Sequence, residues 1–341
     1  MLRTLITLLI LASAGWAQSS SVGSLPVDRS QAHSRCDQTQ AMRFYSEAGA
    51  LACNFAPFAP VSLPTLPTMV KEVQEVNLTF TVTNQHGHFV SNLVPSDFTI
   101  QDNGEPPERI TYFENQSELP LRLAIVIDSS DSVGYVFNDE KRSAEAFLSR
   151  ILRRTSDLAL VIGFNHQVRL VHGLANDSKL LSRAVQKLPI GGYTAIYDAV
   201  SAASQQLAKV MDRQTVRRAI ILITDGEDNS SHISLKQAEE AAQRNECAVL
   251  VMSLNVESDP TRVESDRAMQ ELSEVTGGIF LHPRSEVGVS IAFDKIEKEL
   301  RSQYLISYKP AGGSPDGSYH RLVVAGTAKL QIHHRDGYFA K

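Results

Sequence analysis

Five oxygen-bearing side chains, drawn from three separate segments, have the types and spacing to hold a hard cation. Asp128, Ser130 and Ser132 lie in the run Asp128-Ser129-Ser130-Asp131-Ser132, while Thr194 and Asp225 come from further along the chain. One carboxylate and two hydroxyls from a single tight loop suit Mg²⁺, which takes oxygen ligands in near-octahedral geometry and retains water. Alone the pentapeptide is weak, because serine-rich turns are common. Its context gives it weight. The apolar run Leu121–Ile127 ends at Asp128, a second apolar run Ile220–Thr224 ends at Asp225-Gly226, and Gly191-Gly192-Tyr193-Thr194 opens a helical pattern between them.

These residues need elements that bring them together. Apolar runs predict strands at Leu121–Ile127, Leu158–Phe164, Val168–Val171, Ala219–Thr224, Ala248–Leu254 and Gly278–Leu281. Helical patterns fill the gaps. In Glu140–Leu152 the residues Ala144, Phe147, Leu148, Ile151 and Leu152 recur at helical spacing. Further helices are predicted at Ser178–Leu188, Ala195–Met211, Leu235–Arg244, Arg262–Val275 and Val287–Leu300. Such alternation means a mostly parallel sheet wrapped by helices. Open sheets of this kind bind ligands beyond the carboxyl ends of their strands, where the strand order reverses. In a 3-2-1-4-5-6 order the first and fourth strands are neighbours, so Asp128 and Asp225 reach one crevice. Thr194 is placed to cap its helix while presenting its hydroxyl. Two acids and three hydroxyls leave one coordination position open, and a carboxylate of a partner protein is its natural occupant.

The three segments, in this order and context, resemble the metal-ion-dependent adhesion site of von Willebrand factor A (vWA) domains. The resemblance covers roughly residues 119–302 and includes Thr194-Ala195-Ile196-Tyr197-Asp198-Ala199 and Thr224-Asp225-Gly226-Glu227-Asp228. It implies a Rossmann-like, six-stranded, mostly parallel sheet flanked by helices. It also implies that Ser130, Ser132 and Thr194 ligate Mg²⁺ (Mn²⁺ and Ca²⁺ being alternatives) directly or through water, with Asp128 and Asp225 acting largely through water. The partner it implies is a protein that contributes an Asp or Glu carboxylate. Two positions depart from the family pattern: Asp131 stands where many relatives have Gly, and Val133 where Met is frequent. Asp131 is expected to add negative charge beside the cation. The flanking segments Pro95-Ser96-Asp97-Phe98 and Arg335-Asp336-Gly337-Tyr338 further resemble a family of secreted bacterial vWA-related proteins.

Outside the centre the period changes to two. Val76, Leu78, Phe80 and Val82 alternate with polar residues, as do Tyr304, Ile306 and Tyr308, then Leu322 and Val324, then Leu330 and Ile332. Asp97–Gln101 and Glu108–Phe113 read as a hairpin across Asp102-Asn103-Gly104. Neither cluster has enough strands to close a sandwich, so 69–118 and 303–341 are expected to combine into one small antiparallel β-sandwich that carries the vWA domain, 119–302, as an insertion. Residues 1–17, with Arg3, Leu5–Ala12 and Ala17, read as a cleavable signal peptide, and 18–68 as a Ser/Pro-rich arm. Export to a secreted or periplasmic location follows. In that oxidising setting Cys36 and Cys53 are candidates for a disulfide, while Cys247 reads as a buried free thiol.

A chain of 341 residues that is 43% hydrophobic can bury a real core, and its net charge of -5 gives no footprint for nucleic acid. No second apolar run is long enough to span a membrane. Asp198 is expected to support the loop, and Glu227 and Asp228 to form a solvated rim. No nucleophile elbow, H-E-x-x-H or P-loop is present. The sequence therefore favours a secreted non-enzymatic adhesion module. The alternatives are a scaffold or assembly factor of a cell-envelope complex and, further off, a metal-assisted hydrolase, which lacks a general base at defined spacing.

Overall fold

The computed structural model describes residues 75–340 apart from 116–117, 135–136, 213–214, 256–259, 312–315 and 327–328. The signal segment, the arm and the Cys36–Cys53 pair lie outside the described residues. Three strands come first: β1 (Val76–Asn84), β2 (Phe98–Asp102) and β3 (Arg109–Asn115). The alternating region follows as β4 (Leu121–Asp128), α1 (Phe137–Ile151), β5 (Leu158–Phe164), β6 (Val168–Ala175), α2 (Ser178–Gln186) and α3 (Ile196–Ala208). It continues with β7 (Arg217–Thr224), α4 (Leu235–Arg244), β8 (Cys247–Ser253), α5 (Pro260–Thr276), β9 (Phe280–Leu281) and α6 (Glu286–Arg301). Four strands close the chain: β10 (Tyr304–Lys309), β11 (Tyr319–Gly326), β12 (Leu330–His333) and β13 (Gly337–Phe339).

The central sheet has the order β6-β5-β4-β7-β8-β9, which is the expected 3-2-1-4-5-6. Strand β4 pairs in parallel with both β5 and β7, and all eight of its residues are buried. A strand covered on both faces reads as a continuous apolar run, and Leu121–Ile127 is one. Alternate residues serve opposite layers. Leu121, Leu123, Ile125 and Ile127 pack with α1, α2 and α6, whereas Ala124 and Val126 pack with α3, α4 and α5. Strand β6 is the exception in direction, pairing antiparallel with β5 at the edge, and it runs to Ala175 rather than stopping at Val171. Cys247 opens β8 and is buried, as expected.

The remaining strands form two antiparallel sheets, β12-β1-β10-β3 and β13-β11-β2. Their facing sides bury Val76, Leu78, Phe80 and Val82 with Ile100, Tyr304, Ile306, Tyr308, Leu322 and Val324 in one core. Strands from before and after the central region therefore share both sheets. A polar bond also ties the two sheets: Tyr308 of β10 donates to Asp102 of β2 at 2.9 Å, and within the second sheet Tyr338 of β13 donates to the same carboxylate at 2.8 Å while His320 of β11 lies 2.7 Å from it.

The hairpin expected between the second and third strands does not form. Asp102 and Glu105 do close a tight turn with paired backbone bonds of 2.8 and 3.0 Å. Beyond it stand Pro106 and Pro107, which have no N–H to continue a ladder. The chain crosses instead to the other sheet, where β3 pairs with β10 while β2 pairs with β11.

Candidate metal centre

Strands β4 and β7 run side by side with Ile127 opposite Ile223, so Asp128 and Thr224 end the pair at the same level. The chain leaves each strand there, and the side chains converge over the carboxyl edge of the sheet. Asp128 is fully buried. Its Oδ1 accepts the Ser130 backbone N–H at 2.9 Å, and its Oδ2 accepts the Thr224 hydroxyl at 2.7 Å. The first bond folds the loop back so that Ser130 and Ser132 approach, with their hydroxyl oxygens 3.0 Å apart. A single turn of 3-10 helix over Asp131–Val133 fixes this arrangement, anchored by the buried Val133.

Thr194 arrives from the opposite side, 3% exposed. Its N–H donates to Asn229 Oδ1 at 2.8 Å, and its carbonyl accepts from Asn229 and Ser230 at 3.0 Å each. The loop that follows Asp225 thus holds Thr194 in place. Thr194 does not cap α3 as expected: the N–H groups of Tyr197 and Asp198 go to Asp228 and Ser231 instead. Asp228 is consequently a partly buried capping residue rather than a solvated rim acid, whereas Glu227 is exposed. Asp198 supports the loop, accepting the His232 and Ile233 N–H groups.

The preceding glycines are required by space and by backbone angle. Gly192 has φ +97°, and a Cβ there would come within 2.4 Å of His166 Nδ1. Gly191 donates to the Ser129 carbonyl at 2.8 Å. Asp131 departs from expectation in its use. It is exposed, its Oδ2 accepts the Gly192 N–H at 3.1 Å, and its own N–H donates to the Gly192 carbonyl at 3.2 Å. This reciprocal pair clasps the serine loop to the Thr194 loop.

Asp225 is the most telling member. It is 3% exposed, and both carboxylate oxygens are buried without a hydrogen-bond partner among the described residues. A buried carboxylate that accepts nothing is costly unless a cation or a bound solvent group meets it. Glu140, which the sequence reading did not single out, is in the same condition: 1% exposed, with both oxygens unpartnered. Burial raises the Asp128 carboxyl to about 6 despite its two hydrogen bonds, with the charge of Asp225 adding to the rise. Burial, then the charges of Asp128 and Asp225, raise Glu140 to about 8. The signal for Glu140 was present in the sequence, because it precedes Ala144, Phe147 and Leu148 by four, seven and eight positions and so lies on the buried stripe of α1.

The donor set fits a hard, hydrated divalent cation. It offers hydroxyl and carboxylate oxygens only, and among the described residues no group of three or more His, Cys, Asp or Glu is placed to hold a metal by itself. Any cation here relies on the hydroxyls and on water, as Mg²⁺ does.

The family model described as the von Willebrand factor type A domain matches residues 123–284. Similar solved structures include a von Willebrand factor type A protein from Catenulispora acidiphila, at 13% identity over 69% of this chain and 71% of that one, with a TM-score of 0.47. A second is the conserved hypothetical protein BatB from Bacteroides thetaiotaomicron, at 20% identity, covering 53% of this chain and all of that one, TM-score 0.44. A third is proximal thread matrix protein 1 from the mussel byssus with a zinc-occupied MIDAS motif, at 16% identity over 59% of this chain and 50% of that one, TM-score 0.46. Sheet order, helical layers and the matched family model agree: residues 123–284 of this chain are a von Willebrand factor type A domain.

Proposed function

We propose that this chain is an exported, non-enzymatic binding module whose vWA crevice holds a divalent cation and, through it, a carboxylate of a protein partner. The observation that carries this reading is Asp225, buried with both oxygens unpartnered beside the converging hydroxyls of Ser130 and Ser132. Ser130, Ser132 and Thr194 would hold Mg²⁺ directly or through water, with Mn²⁺ or Ca²⁺ as substitutes, and Asp128 and Asp225 would act largely through water. The cation would supply a positive point at which an Asp or Glu side chain can dock. The protein's own residues do the rest. Asp128 folds the serine loop, Asp131 clasps it to the Thr194 loop, and Asn229 fixes Thr194. Because these groups are positioned before a ligand arrives, little ordering remains for binding to pay. No helix among the described residues is long and apolar enough to cross a membrane.

Full-length chain expressed in its host should be recovered in the exported fraction starting near Gln18. It should capture a partner that chelator releases and added Mg²⁺ restores. Substituting the partner's docking Asp or Glu by Asn or Gln should abolish capture. Intact Met1 on cytoplasmic protein would end the export reading, and chelator-insensitive capture would end the adhesion reading. A partner held regardless of chelator, as part of an envelope complex, would favour the scaffold alternative.

The paired strands of 75–115 and 304–339 are further proposed to fold as one body that bears the vWA insertion. Removing residues 303–341 takes β10 from between β1 and β3, and leaves Val76, Leu78, Phe80 and Val82 without their facing side chains. Residues 75–115 should then lose amide-exchange protection while the central sheet keeps it. Retained protection in 75–115 would sink this partition.

A further inference from the structure

We infer that Glu140 is an outer-sphere carboxylate of the cation site, accepting a hydrogen bond from water bound to the cation. The inference rests on the cation reading above and extends it to a residue outside the segments that define the site. Three observations carry it.

First, Glu140 is 1% exposed, yet neither of its oxygens has a hydrogen-bond partner among the described residues. Side chains this buried are almost always satisfied, so the missing partner is itself a pointer. Second, its charged neighbours on α1 are committed elsewhere. Lys141 donates to the Leu188 carbonyl at 3.0 Å and lies 4.2 Å from the centre of the Phe137 ring. Asp139 pairs with Arg142, which also reaches Glu286 at 3.6 Å. Among the described residues no Lys, Arg or His side chain pairs with Glu140. Third, α1 begins just past the serine loop, and Glu140 is in its first turn, near enough to the crevice that the charges of Asp128 and Asp225 both act on it. Asp128, Asp225 and Glu140 are thus three buried acids close enough to interact.

Glu140 does not join Asp128 and Asp225 in a group that could ligate a metal directly. Water must bridge the gap, and Mg²⁺ keeps several waters when it binds proteins. A carboxylate in that outer position orients a bound water and adds to the negative field that retains the ion. Such outer partners are typically worth roughly 10–100-fold in metal affinity. Glu140 would thereby favour a hydrated divalent ion over a monovalent one.

The test is Mg²⁺ titration by calorimetry on chelator-stripped full-length protein, comparing wild type, Glu140→Gln, Glu140→Met and Asp225→Ala, with thermal melts of each stripped protein. Glu140→Gln and Glu140→Met should bind Mg²⁺ roughly 10–100-fold more weakly. Their stripped forms should melt no lower than stripped wild type, since each variant removes a buried carboxyl group that has no partner. The combination matters, because a purely structural glutamate would lower the melt without selectively weakening the ion. Wild-type affinity in both Glu140 variants, with affinity lost in Asp225→Ala, would overturn this inference and leave the cation site standing. Failure of wild type to bind Mg²⁺, Mn²⁺ or Ca²⁺ would remove the cation reading and this inference together.

Discussion

Asp225→Ala is expected to lose divalent-cation binding while the protein stays folded. Asp225 accepts no hydrogen bond among the described residues, so its removal strands no donor and leaves Ile220–Thr224 packed in the centre of the sheet. The loss should exceed about tenfold in affinity, about 1.4 kcal/mol, because a site with two acids and three hydroxyls has few oxygens to spare. Ser130→Ala and Ser132→Ala should fall in the same direction, each deleting one of the two converging hydroxyls. Asp128→Ala is a poorer probe, since it would leave the Ser130 N–H and the Thr224 hydroxyl without their acceptor and disturb the loop itself. Calorimetric Mg²⁺ titration with circular dichroism as the folding control decides the matter. Equal affinity in wild type and all three variants would reduce these residues to loop caps.

The metal-free protein should lose stability as pH rises from about 4.5 to about 8. Glu140 is raised from 4.5 to about 8 and Asp128 from 3.8 to about 6, in both cases chiefly by burial. For an acid raised in the folded state, the native form holds a proton that the unfolded chain has released. Its stabilisation is therefore complete below the unfolded value and vanishes as pH climbs through the folded one. At about 1.4 kcal/mol per pKa unit, Glu140 alone contributes on the order of 5 kcal/mol across that window. Urea unfolding in chelator at several pH values should show the decline, and saturating Mg²⁺ should offset it most at the alkaline end, since a ligand that binds only the folded state stabilises it. The same series on Glu140→Gln should be much flatter. Stability that is constant or rises over this range in chelator would mean that the two carboxyls are not held as described.

Much of this arrangement was legible because its signals are local and periodic. The apolar runs, the order of strands and helices, and the alternation of Val76, Leu78, Phe80 and Val82 follow from which faces must be buried. Asp128, Ser130, Ser132, Thr194 and Asp225 are brought to one carboxyl edge because β4 and β7 are neighbours in the predicted order. What escaped depends on long-range choices. The turn after β2 has hairpin chemistry, and only the two prolines beyond it, together with competition from β10 and β11, send the strands to different sheets. Glu140 sat on the apolar stripe of α1 in plain view, but a glutamate in a helix's first turn ordinarily faces water or serves the N-terminal dipole. Asp131 and Asp228 read as spare charge, and their use as clasp and cap depends on loops distant in sequence.

Helix α6 has no slack at its far end. Arg301, its last residue, donates to the Ile151 carbonyl at 2.7 Å and pairs with Asp157, and only Ser302 and Gln303 separate it from β10. Strand β10 is gripped on both sides, by β1 and by β3. At its other end Glu286 lies 3.6 Å from Arg142, on the helix that follows the serine loop. A slide of one helical turn, about 5.4 Å, would have to pull β10 out of register with two partners at once. A swing of the sandwich with the helix would in turn break the Asp336 N–H bond to the Val275 carbonyl and the stacking of Arg244 of α4 on Phe339 of β13, so α6 is held at its far end against both movements.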